Sequence, residues 1–293
     1  MLVESRIPDA VRWKRRGDAL ILAYHNVVPE GEEAAGERSL HLSQRDFAAQ
    51  LDLLSETHEI VSLRTVLANA AGNSTKPRAA LTFDDAYRGA VTAGAQEIAA
   101  RSLPATIFVA PAFVGGGTFW WDELATPATR GIDPAFRVRA LREMRGLDAD
   151  VRARAAESGM LLSRVPDHAR CASEEELQRA TAHPEITVAS HSWSHANLAQ
   201  LNGSALMAEL VQPLEWLRER FERVSDVLSY PYGLATPATE RAAAAAGYGA
   251  ALCISGGWVH DRSRNSYALP RLNVPAGVSA RGFLLRVSGV LGG

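Results

Sequence analysis

Short apolar runs alternate along the chain with longer stretches in which apolar residues recur every three or four positions, a rhythm that predicts strands joined by helices. The predicted strands are Ala19 to Tyr24, Glu59 to Leu63, Ala79 to Phe83, Ala105 to Ala110, Ile186 to Ala189, Val227 to Tyr230 and Ala250 to Ile254. Ser43 can cap a helix whose apolar side is Phe47, Leu51 and Leu54. Further helices are predicted at Ala90 to Ala100, Ser204 to Phe221 and Pro237 to Ala246. The last of these has Thr236 as its cap, Pro237 at the first helical position and Gly247 just past its end. Such repetition implies parallel strands with crossover helices, an α/β fold.

One stretch breaks the rhythm. Between Gly115 and Ala182 there are three consecutive glycines, the aromatic group Phe119-Trp120-Trp121-Asp122 and arginine-rich helical sequence, with no strand pattern. Ser173 and Glu176 form a capping box for a helix that should run to about Ala182. We read about 115–182 as a helical insertion over the mouth of a barrel, within a single catalytic domain spanning 1–293. No internal repeat or low-complexity linker marks a boundary.

Composition narrows the possibilities. With 293 residues, 47% of them hydrophobic and 22% charged, the chain can bury a full core, as one large α/β barrel or as two small domains. A net charge of -2 leaves no broad basic surface, so nucleic acid is not an expected partner. No apolar run approaches membrane-spanning length. Residues Met1 to Asp18 carry charges of both signs and lack the apolar core of a secretion signal, so the expectation is a cytoplasmic protein. Cys171 and Cys253 are too few for a disulfide framework or a zinc knuckle and are expected to be inert, buried thiols.

The chemistry concentrates in two short segments. Thr82-Phe83-Asp84-Asp85 ends an apolar strand, at the end where ligands bind in parallel α/β folds. Ser190-His191-Ser192-Trp193-Ser194-His195 follows another strand, and if it turns into a helix, its two histidines project from one face. Taken singly, the histidines fit an ordinary loop and the aspartates fit a cap on a helix starting near Tyr87 to Ala90. Taken together, they supply enough to hold a divalent metal and leave one carboxylate free as a base. His41, His58, His168 and His183 have no partner at useful spacing and are expected at the surface or in turns. Trp120 and Trp121 fit two readings equally, an aromatic platform for sugar rings or a pair packing the insertion onto the barrel.

Thr82-Phe83-Asp84-Asp85, His191-Ser192-Trp193-Ser194-His195 and Tyr230-Pro231-Tyr232-Gly233 resemble, in order and spacing, the first three motifs of the polysaccharide deacetylase family, carbohydrate esterase family 4. The resemblance, over roughly Leu20 to Val274, implies a distorted parallel (β/α) barrel and a metal-dependent hydrolase that removes acetyl groups from N-acetylated carbohydrate. It implies that Asp84 is the catalytic base, and that Asp85, His191 and His195 ligate zinc, or Co2+ or Ni2+. A backbone N–H near Tyr232 would hold the oxyanion. Many members carry an arginine before the Pro-Tyr/Phe-Gly turn, where this chain has Ser229-Tyr230. Arg271, in Leu269-Pro270-Arg271-Leu272, resembles the arginine that relatives bring from a later strand to pair with the catalytic aspartate. The family's late Leu-x-His motif is missing, because no histidine follows Arg271. His25, at the end of the first strand, and His260, in a later loop, are the candidate proton donors to the leaving amine. Three functions follow: deacetylation of a polymeric or lipid-linked N-acetylated sugar, deacylation or deformylation of a small amino sugar, or carbohydrate binding without turnover.

Overall fold

The computed structural model of the chain describes residues 18–68, 75–126, 131–259 and 265–289. Ten strands form: β1 (Ala19–Tyr24), β2 (Asn26–Val28), β3 (His41–Ser43), β4 (Glu59–Ile60), β5 (Arg78–Phe83), β6 (Ala105–Val109), β7 (Ile186–Ser190), β8 (Val224–Ser229), β9 (Ala250–Leu252) and β10 (Leu272–Asn273). Eight of them make one parallel sheet in the order β10-β1-β5-β6-β7-β8-β9, with β4 added beside β5. A parallel bridge between Leu252 and Leu269 links the β9 edge to the chain just before β10, so the sheet curls into a distorted (β/α) barrel.

Strand alternation divides the interior in two. Ile21, Ala80, Phe108, Ala189, Val227 and Leu252 join one apolar cluster, and Leu20, Leu22, Leu81, Ile107 and Val188 join another with Phe47, Leu51 and Leu54. The second set includes the buried face of helix Gln44–Thr57, whose N-terminal amide of Asp46 is capped by Ser43 as the sequence predicts. Helices Gly203–Arg220 and Pro237–Ala245 also lie where expected, the latter with a complete Thr236–Thr239 capping box. Among the described residues, 115–182 contains no named strand but helices Trp120–Glu123, Pro134–Arg142, Asp148–Glu157 and Glu174–Thr181, the last with the expected Ser173–Glu176 capping box.

Several expectations need correction. The strand expected at Glu59 to Leu63 stops at Ile60, because Ser62 accepts from the Thr65 amide and starts a short helix, Leu63–Leu67. The helix expected from Ala90 opens with a π-type turn, Ala90–Gly94, before Ala95–Ala100. Neither Asp84 nor Asp85 caps it. His41, His58 and His168 are not surface residues: each is nearly fully buried. Asn26 reaches Nδ1 of both His41 and His168, at 2.9 and 3.0 Å, while His41 Nε2 meets Asp122 and His168 Nε2 meets the Glu33 carbonyl. Spacing could not reveal these partners, since they lie up to 142 residues apart. No helix among the described residues is long and apolar enough to cross a membrane.

Candidate active site

Parallel pairing puts the C-terminal ends of β1, β5, β7 and β8 on one rim. His25 follows β1, Asp84 and Asp85 follow β5, His191 follows β7, and β8 ends at Ser229. Backbone hydrogen bonds from Asp84 N to Tyr24 O and from His191 N to Val109 O hold the rim in register, at 2.9 and 2.8 Å.

Asp85, His191 and His195 offer one donor atom each, all within 4.8 Å of one another and all buried. His191 Nε2 lies 3.4 Å and His195 Nε2 3.1 Å from Asp85 Oδ1. His191 Nδ1 lies 2.8 Å from the Ser229 carbonyl, which can only accept, so that nitrogen carries the proton in the neutral ring and Nε2 keeps its lone pair. The Asp85 Oδ1 has no hydrogen-bond partner although it is buried. Lone pairs converging on a point without protons between them repel, and a cation resolves the conflict. The donor set of two nitrogens and a carboxylate oxygen therefore fits a divalent metal.

The histidine pair does not meet by helical spacing. Beyond Ser190 the chain turns with positive φ at Ser192 (62°) and His195 (56°), bringing the rings to 4.7 Å at nearly a right angle. Asp85 (69°), Ala86 (48°) and Tyr232 (60°) are also left-handed, so five of the seven non-glycine residues with positive φ among the described residues are in the three motifs or adjoin one. Such backbone is strained, and its clustering marks the site. Gly233 (68°) belongs to the same turn, where a Cβ would approach Ile254 to 2.6 Å.

Arg271 enters from below. It stands one position before Leu272, which pairs with Leu22 of β1, so its side chain rises through the barrel interior with no exposed surface. Its Nη1 and Nη2 each lie 2.7 Å from an Asp84 carboxylate oxygen, fork to fork. Thr82 Oγ1 and Ser229 Oγ receive its remaining protons, at 3.2 and 2.7 Å. Burial pushes Asp84 up, but Arg271 and His191 more than reverse this and hold it at about 2. Burial likewise opposes ionisation of Asp85, and His195 with His191 overcomes it and holds the carboxyl below its ordinary range. His191 is lowered by burial but raised overall by Asp84 and Asp85, whereas for His195 burial dominates and the net shift is downward.

A cavity of about 200 Å³ opens over this cluster, lined by His25, Asp84, Asp85, His191, His195, Trp121 and Tyr232, with Ser39, Leu40, Arg137, Ile254 and Asn273 at its margins. His25 is held neutral at pH 7, because burial lowers it against the pull of Asp85 and Asp84. His260 lies outside the described residues. Trp121 stacks on Phe119 at 4.6 Å and leans on His195 at 4.8 Å, which leaves it only 5% exposed. Trp120 is 1% exposed, does not line the cavity and donates to Tyr232 Oη at 3.3 Å. Trp120 thus sits as the packing reading expects, one of the two that the sequence left open.

Two supports went unnoticed in the sequence. Ser229 Oγ accepts from Arg271 Nη2 at 2.7 Å and donates to Asp84 at 3.2 Å, so it steadies the pair that those two make. Glu209, on helix Gly203–Arg220, accepts from the amides of Trp193 and Ser194 and from the Ser194 hydroxyl, clamping the histidine turn. Position alone hinted at Ser229, and nothing in the sequence pointed to Glu209.

The polysaccharide deacetylase family model matches residues 71–251, more than half of the chain. Among solved structures, the Streptococcus pyogenes deacetylase PplD in complex with acetate is 16% identical, with 92% of this chain and 97% of that one covered and a TM-score of 0.62. IcaB from Ammonifex degensii is 17% identical over 93% of this chain and 96% of its own, with a TM-score of 0.62. The BpsB deacetylase domain from Bordetella bronchiseptica is 16% identical over 88% and 96%, with a TM-score of 0.56. At these identities the likeness is one of fold. No curated protein matches the chain.

Proposed function

The chain belongs to the polysaccharide deacetylase family, and on that premise we propose that it hydrolyses the acetamide of an N-acetylated sugar with Asp85, His191 and His195 holding a divalent cation, zinc by donor preference. The observation that carries this reading is the buried meeting of three lone-pair donors beside a carboxylate that takes no part in it.

A cation bound there supplies Lewis acidity toward water and the acyl oxygen. The side chains do the rest. Arg271 fixes both oxygens of Asp84 and keeps it ionised, so that it faces the cavity as the proton acceptor. Asp84 must then pass the proton on to the leaving amine, directly or through His25, which lines the same cavity. The backbone N–H at Tyr232 faces the acyl oxygen as its charge grows. Trp121 walls the metal side of the cavity and excludes water, and Trp120 braces Tyr232 from behind.

Acetate release from N-acetylglucosamine oligomers and monomers, together with metal analysis, tests the proposal. Asp84→Asn is expected to keep its cation and lose about three orders of magnitude in turnover, whereas His191→Ala should lose both. An Asp84→Asn protein with near-normal turnover removes the assigned base. Release of formate instead of acetate from a small N-formyl amino sugar would select deformylation, and absence of both acids from every sugar, with metal bound, leaves carbohydrate binding without turnover as the function.

A further inference from the structure

Among the described residues that line the catalytic cavity, Arg137 brings a charge the reaction scheme does not use. It projects from helix Pro134–Arg142, is half-buried and lines the same cavity as Asp84, Asp85, His191 and His195. Other arginines of that neighbourhood have partners: Arg139 lies over the Phe136 ring at 5.7 Å, Arg145 pairs with Asp150 at 3.7 Å and Arg152 with Asp148 at 2.5 Å. Among the described residues no carboxylate, carbonyl or hydroxyl pairs with the Arg137 guanidinium. Its charge nevertheless reaches into the cavity, where it acts on the Tyr232 hydroxyl and opposes the upward push of burial.

Charge counting then points to the ligand. Among the described residues, the carboxylates in the lining are Asp84 and Asp85. Asp84 is neutralised by Arg271, and Asp85 offsets one of the two charges of the cation that it would share with His191 and His195, so no carboxylate of the lining remains for Arg137. Arg137 is left over as a positive charge in a confined space with low-dielectric walls, an arrangement that attracts and orients anions. An acetamide is neutral and cannot answer it. A guanidinium presents a planar fork that matches carboxylate and phosphate oxygens. Asn273 adds a buried Oδ1 without a hydrogen-bond partner in the same lining, an acceptor suited to a sugar hydroxyl. The cavity, near 200 Å³, is smaller than the roughly 300–1,000 Å³ of common ligand pockets. It therefore holds little more than one sugar unit, and the anionic group must be on the reacting ring or immediately next to it.

We propose that Arg137 forms an anion subsite and that the substrate is an N-acetylated sugar carrying a phosphate or a carboxylate on the reacting ring or its nearest substituent. The proposal rests on the deacetylase reading for the reaction but not for the binding. The test uses the metal-loaded protein and three probes: N-acetylglucosamine 1-phosphate, 2-acetamido-2-deoxyglucuronic acid and neutral N-acetylglucosamine. Wild-type protein should favour at least one anionic probe by about tenfold or more in kcat/KM and in calorimetric Kd, consistent with one desolvated charge-assisted contact. Which anion it favours tells phosphate from carboxylate. The preference should shrink as salt rises from about 0.1 M to about 1 M, over which the screening length falls to about a third. Arg137→Gln should bring the ratio of anionic to neutral probe close to one, and Arg137→Lys should restore part of it, with melting temperatures compared to confirm that both variants fold. Equal handling of charged and neutral probes by wild-type protein overturns the subsite, as does a preference that survives in Arg137→Gln. Should no probe release acetate, the deacetylase reading fails while the Kd ratio still decides the anion subsite.

Discussion

Two buried clusters in this molecule contain nearly the same side chains and have opposite hydrogen-bond states. Around Asp122, every polar group of the acid and of two histidines is answered. The Asp122 carboxylate accepts from His41 Nε2, Tyr87 Oη and the Glu37 amide at 2.9, 2.6 and 2.9 Å. The Asn26 amide gives one proton to each of the two Nδ1 atoms, which makes both His41 and His168 neutral with the proton on Nε2. Around Asp85 the same chemistry is left open. One histidine proton is spent on the Ser229 carbonyl, and the remaining lone pairs point at each other and at an oxygen with no donor. The contrast teaches that burial of acid and imidazole does not by itself mark a functional centre. The mark is convergence of acid and imidazole atoms on one point with a buried oxygen left unanswered, an arrangement that a cation would satisfy.

The clusters are also mechanically joined. Trp121 donates to Tyr87 Oη at 2.8 Å, Tyr87 donates to Asp122, and the Trp121 ring leans on His195. The closed cluster thus serves as the rigid wall against which the open one is set.

The largest effect that can break this comparison is on the metal. Asp85→Ala should abolish cation binding and lower acetate release at least about a thousandfold, while Asp122→Asn should leave one cation bound. Loss of the cation from Asp122→Asn, measured by elemental analysis, means the two clusters are not separable. Next in size is stability. Arg271→Met strands the buried Asp84 carboxylate and should cost about 3–5 kcal/mol in denaturant unfolding. Asp122→Asn disturbs donors whose acid and imidazole partners are all paired and should cost about 1–3 kcal/mol. An Arg271→Met protein as stable as wild type would falsify the account of Asp84 as an ion held by its partner.

The smallest effect is on acid stability. Asp84 sits at about 2 in the fold, against about 3.9 in an unfolded chain. Its folded pKa is depressed, so its contribution is fully present above about pH 4 and is lost as pH falls toward 2. Arg271→Met should flatten the loss of stability between about pH 4 and pH 2, because burial without Arg271 raises Asp84 instead of holding it below its unfolded value. The Asp122 cluster should show no matching shift when Arg271 is changed, and chemical-shift titration of the two carboxyl groups can read them separately.

Much of the fold was legible in the residues. β1, β5, β6 and β7 are buried along nearly all their length and read as mainly apolar runs, so pattern alone located them. β8 starts three residues earlier than the pattern suggested, at Val224, since its first residues Val224-Ser225-Asp226 are only partly buried or exposed and carry no apolar signature. The capping residues Ser43, Ser173 and Thr236 were readable because a cap is a local device, made within four residues.

Sequence by itself determined the alternation of strand and helix, the ends of several helices, and the presence of two acids and two imidazoles at strand ends. These depend on periodicity and neighbours. The pairing of Arg271 with Asp84 across 187 residues was expected from the motif resemblance alone, and the structure shows it as a fork; only the tertiary structure decided that Asp85 meets both histidines through left-handed turns and that His41 and His168 are buried and paired. The reason is that a hydrogen bond or a shared lone-pair geometry is fixed by where the barrel folds its strands together. Side chains far apart in the chain carry no record of that distance.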